Sequence, residues 1–154
     1  MAKMIVMAIV FLATVSGCRT PKSVSNDAET YRVYYEEGSR HAGWDPVSYI
    51  EVKRQKDAYV YEKGEKYPPM PPKGETKREV LQKRLLSRSE ADRIEKALKE
   101  NRYDTMRRRY IDDRVIDGSY RKLSVLKAGR TKEVVVINTE YAPFERIVRI
   151  LKSL

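Results

Sequence analysis

Hydrophobic and polar positions along the chain follow three patterns, and each predicts a different kind of segment. Met4 to Val15 is a run of apolar and small residues preceded by Lys3. Such a run is too short to span a hydrocarbon core of about 30 Å. Alternation begins at Tyr31-Arg32-Val33-Tyr34-Tyr35 and returns over Val47 to Lys53 and Asp57 to Lys63, where aromatic and β-branched residues dominate. Side chains that alternate with a period of two point to opposite faces, so these stretches predict strands. The charged turn Arg54-Gln55-Lys56 joins the latter two as an antiparallel pair. Lys77 to Leu85 predicts a further strand, with Val80 facing inward.

A spacing of three to four follows. Ser87-Arg88-Ser89-Glu90 has the form of a capping box, in which the Ser87 hydroxyl accepts from the Glu90 amide and the Glu90 side chain reaches back. The helix it opens runs to the neighbourhood of Asn101, with Ala91, Ile94, Ala97 and Leu98 on one face. Tyr103, Met106 and Tyr110 keep the same spacing and predict a second helical piece, followed by a loop ending at Asp117-Gly118. Tyr120 to Leu126 and Thr131 to Asn138 predict a hairpin around Lys127-Ala128-Gly129-Arg130. Pro143 suits the first turn of a last helix, lined on one side by Phe144, Ile147, Val148, Leu151 and Leu154. The order is strands, helix, hairpin, helix. Strands joined by hairpins cannot make a parallel sheet. The expectation is therefore an α+β fold, an antiparallel sheet with two main helices packed on one face as a two-layer sandwich.

Segments without apolar period set the boundaries. Arg19 to Thr30 is polar throughout and reads as a flexible stalk. Tyr67 to Gly74 is a loop whose four prolines exclude helix and any central strand, and it reads as a stiff connector. This divides the chain into a signal segment, residues 1–17, a tether, residues 18–30, and one domain, residues 31–154.

Val15-Ser16-Gly17-Cys18 resembles the bacterial lipobox, an aliphatic residue and two small residues before an obligatory cysteine. Small residues let the extended peptide enter a peptidase. The cysteine offers a thiol for diacylglycerol and, after cleavage, an amine for a further acyl chain such as palmitate. The resemblance implies that residues 1–17 are a lipoprotein signal peptide and that Cys18 is the lipid attachment site. Two or three acyl chains make a durable anchor where one does not. Arg19 is not the Asp that marks inner-membrane retention in enteric bacteria. The implied location is the periplasmic side of a membrane, the outer membrane if the host is Gram-negative. Cleavage by an ordinary signal peptidase and retention as an uncleaved anchor are the alternatives. From the capping box onward the chain also resembles a poorly characterised class of small secreted or lipid-anchored α+β domains. Ser87–Leu98, Tyr110, Asp117-Gly118, Leu123–Val136 and Phe144–Leu151 carry that likeness, and it implies no activity.

Charge adds a partner class. The net charge is +10, and loss of Lys3 with the signal leaves +9. Such an excess favours anionic partners by long-range attraction, although basic residues spread along the chain also serve solubility. Arg107-Arg108-Arg109, flanked by Tyr103 and Tyr110, is the sharpest basic feature and the candidate anion-binding site. Nucleic acid is excluded as a partner by the implied location.

Candidate chemistry is sparse. Cys18 is the only cysteine and His41 the only histidine, so neither a nucleophile–base pair nor a zinc ligand set is available. Asp112, Asp113 and Asp117 lack the alternate spacing of a calcium loop and read as turn formers. No catalytic residue, metal or cofactor is expected. The sequence reads as a cell-envelope lipoprotein acting as a non-catalytic binding or assembly module, with an anionic envelope component or a partner protein as ligand. A cell-wall glycan or peptide hydrolase and an inhibitor of a host enzyme are the alternatives; the latter conflicts with the charge, since lysozymes are themselves basic.

Overall fold

A computed structural model describes residues 30–39, 45–69, 74–114 and 118–154. The signal segment, Cys18, nearly all of the tether, His41, the middle of the proline-rich loop and Asp117 lie outside the described residues. Strands β1 (Tyr31–Ser39), β2 (Val47–Gln55), β3 (Ala58–Tyr67) and β4 (Lys77–Leu86) come first, then helix α1 (Arg88–Glu100). A single 3-10 turn, Tyr103–Thr105, leads to β5 (Arg109–Ile111), β6 (Ser119–Lys127), β7 (Arg130–Ile137) and helix α2 (Ala142–Lys152). All seven strands belong to one sheet in the order β4-β3-β2-β1-β6-β7-β5.

This corrects the expected α+β two-layer sandwich. The fold is mostly sheet, with 51% of the described residues in strands and 24% in helices. The sheet is mixed rather than antiparallel, because β5 runs parallel to β7. The second helical piece expected from Tyr103, Met106 and Tyr110 is the reason for the difference. Arg102 takes a left-handed conformation, with φ 52°, and ends the helical path after α1. The chain then makes one 3-10 turn and extends along β7. There the Val135 amide donates to the Arg108 carbonyl, and the Asp112 amide donates to the Ile137 carbonyl. The tyrosine spacing has another origin. Tyr103 is buried under the hairpin, whereas Tyr110 stacks on Tyr141 with ring centroids 4.1 Å apart.

Register follows from the alternation. Val33 stands opposite Val52 on one side and Val125 on the other, and Tyr35 stands between Ile50 and Leu123. These residues join Tyr61, Val134 and Val136 in one hydrophobic cluster, to which Ile94, Phe144, Ile147 and Leu151 of the two helices belong. A one-residue slip would turn the whole set away from the helices, so the pattern fixes the pairing. The β6–β7 hairpin closes through Ala128 and Gly129, both at positive φ (50° and 74°), as a primed turn requires.

The capping box is present: the Glu90 amide donates to Ser87 Oγ at 3.3 Å and the Ser87 amide donates to Glu90 Oε2 at 2.8 Å. Replacing Ser87 with Ala should lower stability by about 1 kcal/mol in denaturant titrations. Ile94 is buried in the cluster, whereas Leu98 only packs against its margin. Ile94→Ala should therefore cost about 2–5 kcal/mol and Leu98→Ala clearly less.

Candidate functional site

Alternation gives the sheet a second face, and its centre is charged yet buried. Glu36 on β1, Glu51 on β2 and Glu62 on β3 are each less than a tenth exposed. A buried carboxylate is costly unless paired and hydrogen-bonded. Glu36 receives hydrogen bonds from Tyr34 (2.9 Å) and Tyr120 (2.7 Å) and ion pairs with Lys122 (2.6 Å) and Lys66. Burial works against its ionisation, but these donors outweigh it and hold the carboxyl at about 2. Burial, and then the same carboxylate, push the Tyr120 hydroxyl up to about 12.

Glu51 and Glu62 face each other across β2 and β3, an unfavourable like-charge pair if left alone. Arg78 of β4 reaches both, at 3.3 and 3.5 Å, and lies over the Tyr49 ring at 4.3 Å. Tyr49 stacks on Tyr34 and donates to Glu62 at 2.9 Å. Each of the three carboxylates thus has a cation and each of these two tyrosines a carboxylate. The layer is a closed network that ties four adjacent strands and β6 together. Alternation placed these glutamates on the face away from the helices; nothing in the sequence signalled their burial.

The residues singled out from the sequence are dispersed. Arg107, Arg108 and Arg109 are all exposed, at the β5 edge. The Arg107 amide donates to the Tyr110 hydroxyl at 3.0 Å, which places the start of the triplet beside the Tyr110–Tyr141 stack. Tyr103 belongs elsewhere. Its hydroxyl lies 2.8 Å from both the Leu123 and the Lys132 carbonyls, pinning the 3-10 turn to the hairpin. Loss of that hydroxyl in Tyr103→Phe should cost about 1 kcal/mol. Asp112 accepts from the backbone and guanidinium of Arg114 and is held at about 2 by those bonds, the geometry of a turn.

A different basic site is assembled by the fold. The last turns of α1, the 3-10 turn and the ends of β6 and β7 enclose a groove of about 990 Å³. Six cations and two carboxylates line it, a net charge of +4, over a floor that includes Leu98, Tyr103 and Val125. Some of the cations are structural. Lys132 donates to the Asp104 and Met106 carbonyls at 2.6 and 2.9 Å, and Lys127 faces Glu95 at 3.7 Å. Lys99, Arg102 and Arg130 are exposed and have no carboxylate partner among the described residues. Lys99 and Arg102 flank the end of α1, whereas Arg130 opens β7, so sequence spacing could not add the third to the first two. The carbonyl end of α1 opposes an anion here with roughly half an elementary charge, too little to cancel the lining.

Among the described residues no cluster of His, Cys, Asp and Glu is arranged to hold a metal, and no helix is long and apolar enough to cross a membrane. No family model matches the chain, and no curated protein matches it.

Proposed function

We propose that this protein is a non-catalytic binding module of the bacterial cell envelope, anchored by lipid on Cys18, that holds an anionic envelope polymer in the groove between α1 and the β6–β7 hairpin. The observation that carries the ligand class is the convergence of Lys99, Arg102 and Arg130, exposed and without a carboxylate partner among the described residues, around a partly apolar floor. Guanidinium and ammonium groups of this kind take phosphate or carboxylate oxygens, and aliphatic and aromatic neighbours take the rest of a ligand. The envelope location rests on Val15-Ser16-Gly17-Cys18.

Two experiments test the two parts. Cys18→Ser should abolish incorporation of radioactive palmitate and release the protein from membranes. Unchanged partitioning would defeat the lipid anchor. For the groove, the full chain is titrated with lipopolysaccharide, anionic and neutral vesicles, and peptidoglycan. A basic residue near an anionic surface contributes about 1 kcal/mol, so Lys99→Ala, Arg102→Ala and Arg130→Ala together should weaken binding about a hundredfold. Replacing Lys56, Arg93 and Arg149, which removes the same charge from other surfaces, should weaken it far less. Equal losses would mean diffuse attraction and no site. Release of soluble fragments from peptidoglycan would overturn the non-catalytic reading.

A further inference from the structure

The groove has a position as well as a charge, and the connectivity of the chain sets it. Strand β1 begins at Tyr31, opposite Lys127 at the end of β6, and the Ala128 amide donates to the Thr30 carbonyl at 3.1 Å. The domain therefore joins its N-terminal segment at the β6–β7 turn, whose flanking residues Lys127 and Arg130 line the groove. Only residues 19–30 lie between Cys18 and Tyr31. At about 3.3–3.6 Å per residue they reach at most about 40 Å. With acyl chains on Cys18, the mouth of the groove stays within that distance of the bilayer that holds them.

The lining is also mixed. Lys99, Arg102 and Arg130 suit phosphate oxygens. The Asp104 carboxylate, exposed in the same lining, has no cation partner among the described residues. An ionised carboxylate only accepts, and the Thr105 and Thr131 hydroxyls beside it can accept as well. A simple phosphate group brings no hydroxyl to such acceptors. A phosphorylated sugar brings hydroxyls to them and oxygens to the cations. We propose, resting on the Cys18 anchor and the groove function above, that the groove takes the membrane end of its polymer: the phosphorylated sugar that joins it to lipid, in the leaflet holding the acyl chains. Anchor and groove then grip one membrane in cis. The second contact is effectively intramolecular, and a short tether gives it an effective concentration in the millimolar range.

The probe is lipid A, a phosphorylated and acylated disaccharide, in phosphatidylcholine vesicles whose headgroups carry a quencher. Vesicles of phosphatidylcholine alone, and with phosphatidic acid at equal charge, are the references. The acylated full chain carries a thiol fluorophore at Ala128→Cys or at Ser119→Cys, both exposed positions. Those labels stand at opposite ends of β6, about 26 Å apart at 3.3 Å per residue, so groove binding should quench the first several-fold more. Lys99→Ala, Arg102→Ala and Arg130→Ala together should return this difference to its value in phosphatidylcholine alone. Replacing Lys63, Arg93 and Arg149 with Ala, an equal loss of charge elsewhere, should leave it. Inserting 24 Gly and Ser residues after Lys22 triples the tether, so the soluble polyphosphate needed to halve the quenching should fall about fivefold. Equal quenching with phosphatidic acid, equal losses in the two triple variants, or no effect of tether length would overturn the proposal. The unacylated Cys18→Ser chain separates the two levels. If it binds lipid A vesicles through the groove while the acylated chain shows no groove dependence, attachment in cis fails and the groove function stands. Absence of binding in both defeats the groove function as well.

Discussion

Replacing Glu36 with Gln is expected to lower stability by about 3 kcal/mol at neutral pH, the cost of leaving buried charges without their partner. The amide keeps the shape of the carboxylate and part of its hydrogen bonding. It cannot balance Lys66 and Lys122, whose side chains are only 25% and 23% exposed. Partial access of those lysines to water puts the loss at the lower end for a broken buried pair. The pH dependence has a definite sign. The folded-state value of Glu36 lies at about 2, below its ordinary 4.5. Its contribution is therefore present above about pH 4.5 and disappears as the pH falls towards 2. Denaturant midpoints for wild type and variant should differ most near pH 7 and converge in acid. Glu90 and Asp112 are also held at about 2, but they titrate alike in both proteins and cancel from the comparison. A difference that stayed constant from pH 7 to pH 2.5 would mean that packing, not charge, accounts for the loss.

Gly64→Ala should be of similar size, about 3 kcal/mol, for a reason that no substitution table conveys. Gly64 sits on β3 where the β3–β4 register shifts, opposite Val80. A Cβ there would lie 2.1 Å from the Glu79 carbonyl oxygen and 2.9 Å from the Tyr49 ring and hydroxyl. The first contact is with backbone and cannot be relieved by turning a side chain. Relief requires β4 to move away, which also draws Arg78 from Glu51 and Glu62. The expected signature is a loss of stability with faster amide exchange in residues 77–86 and little change across β1 and β6. Gly129→Ala is the internal contrast: nothing lies within 4 Å of its Cβ position, so any cost there comes from its positive φ of 74° alone.

Most strand positions along the chain were legible because alternation survives wherever one face meets the helices, but the order of the strands across the sheet was not. Val33, Tyr35, Ile50, Val52, Leu123 and Val125 alternate in the sequence and all turn into the core, whereas the unbroken run Val134 to Ile137 left the inward faces of Val134 and Val136 to the structure. The capping box at Ser87 was legible for a similar reason, since its bonds close within four residues. Two things were not. A three-residue strand such as β5 has too few positions to show a period, and its parallel pairing depends on a free edge of β7 that local sequence does not announce. The groove was hidden as well. Lys99 and Arg102 are neighbours at the end of α1, but Arg130 is distant in sequence, and only the docking of α1 beside the hairpin brings it to them. Arg107-Arg108-Arg109 was legible because it is contiguous, and it stands exposed at the β5 edge.

The position of β1 has a mechanical meaning. The first described strand of the chain is also the middle strand of the sheet, bonded to β2 along one side and to β6 along the other. Tension arriving from the residues before Tyr31 enters that strand along its own axis. It therefore loads two ladders of hydrogen bonds side by side, instead of opening one bond at a time as it would at an edge. A pull on the domain from its N-terminal end would thus act at the place where the sheet best resists being pulled apart.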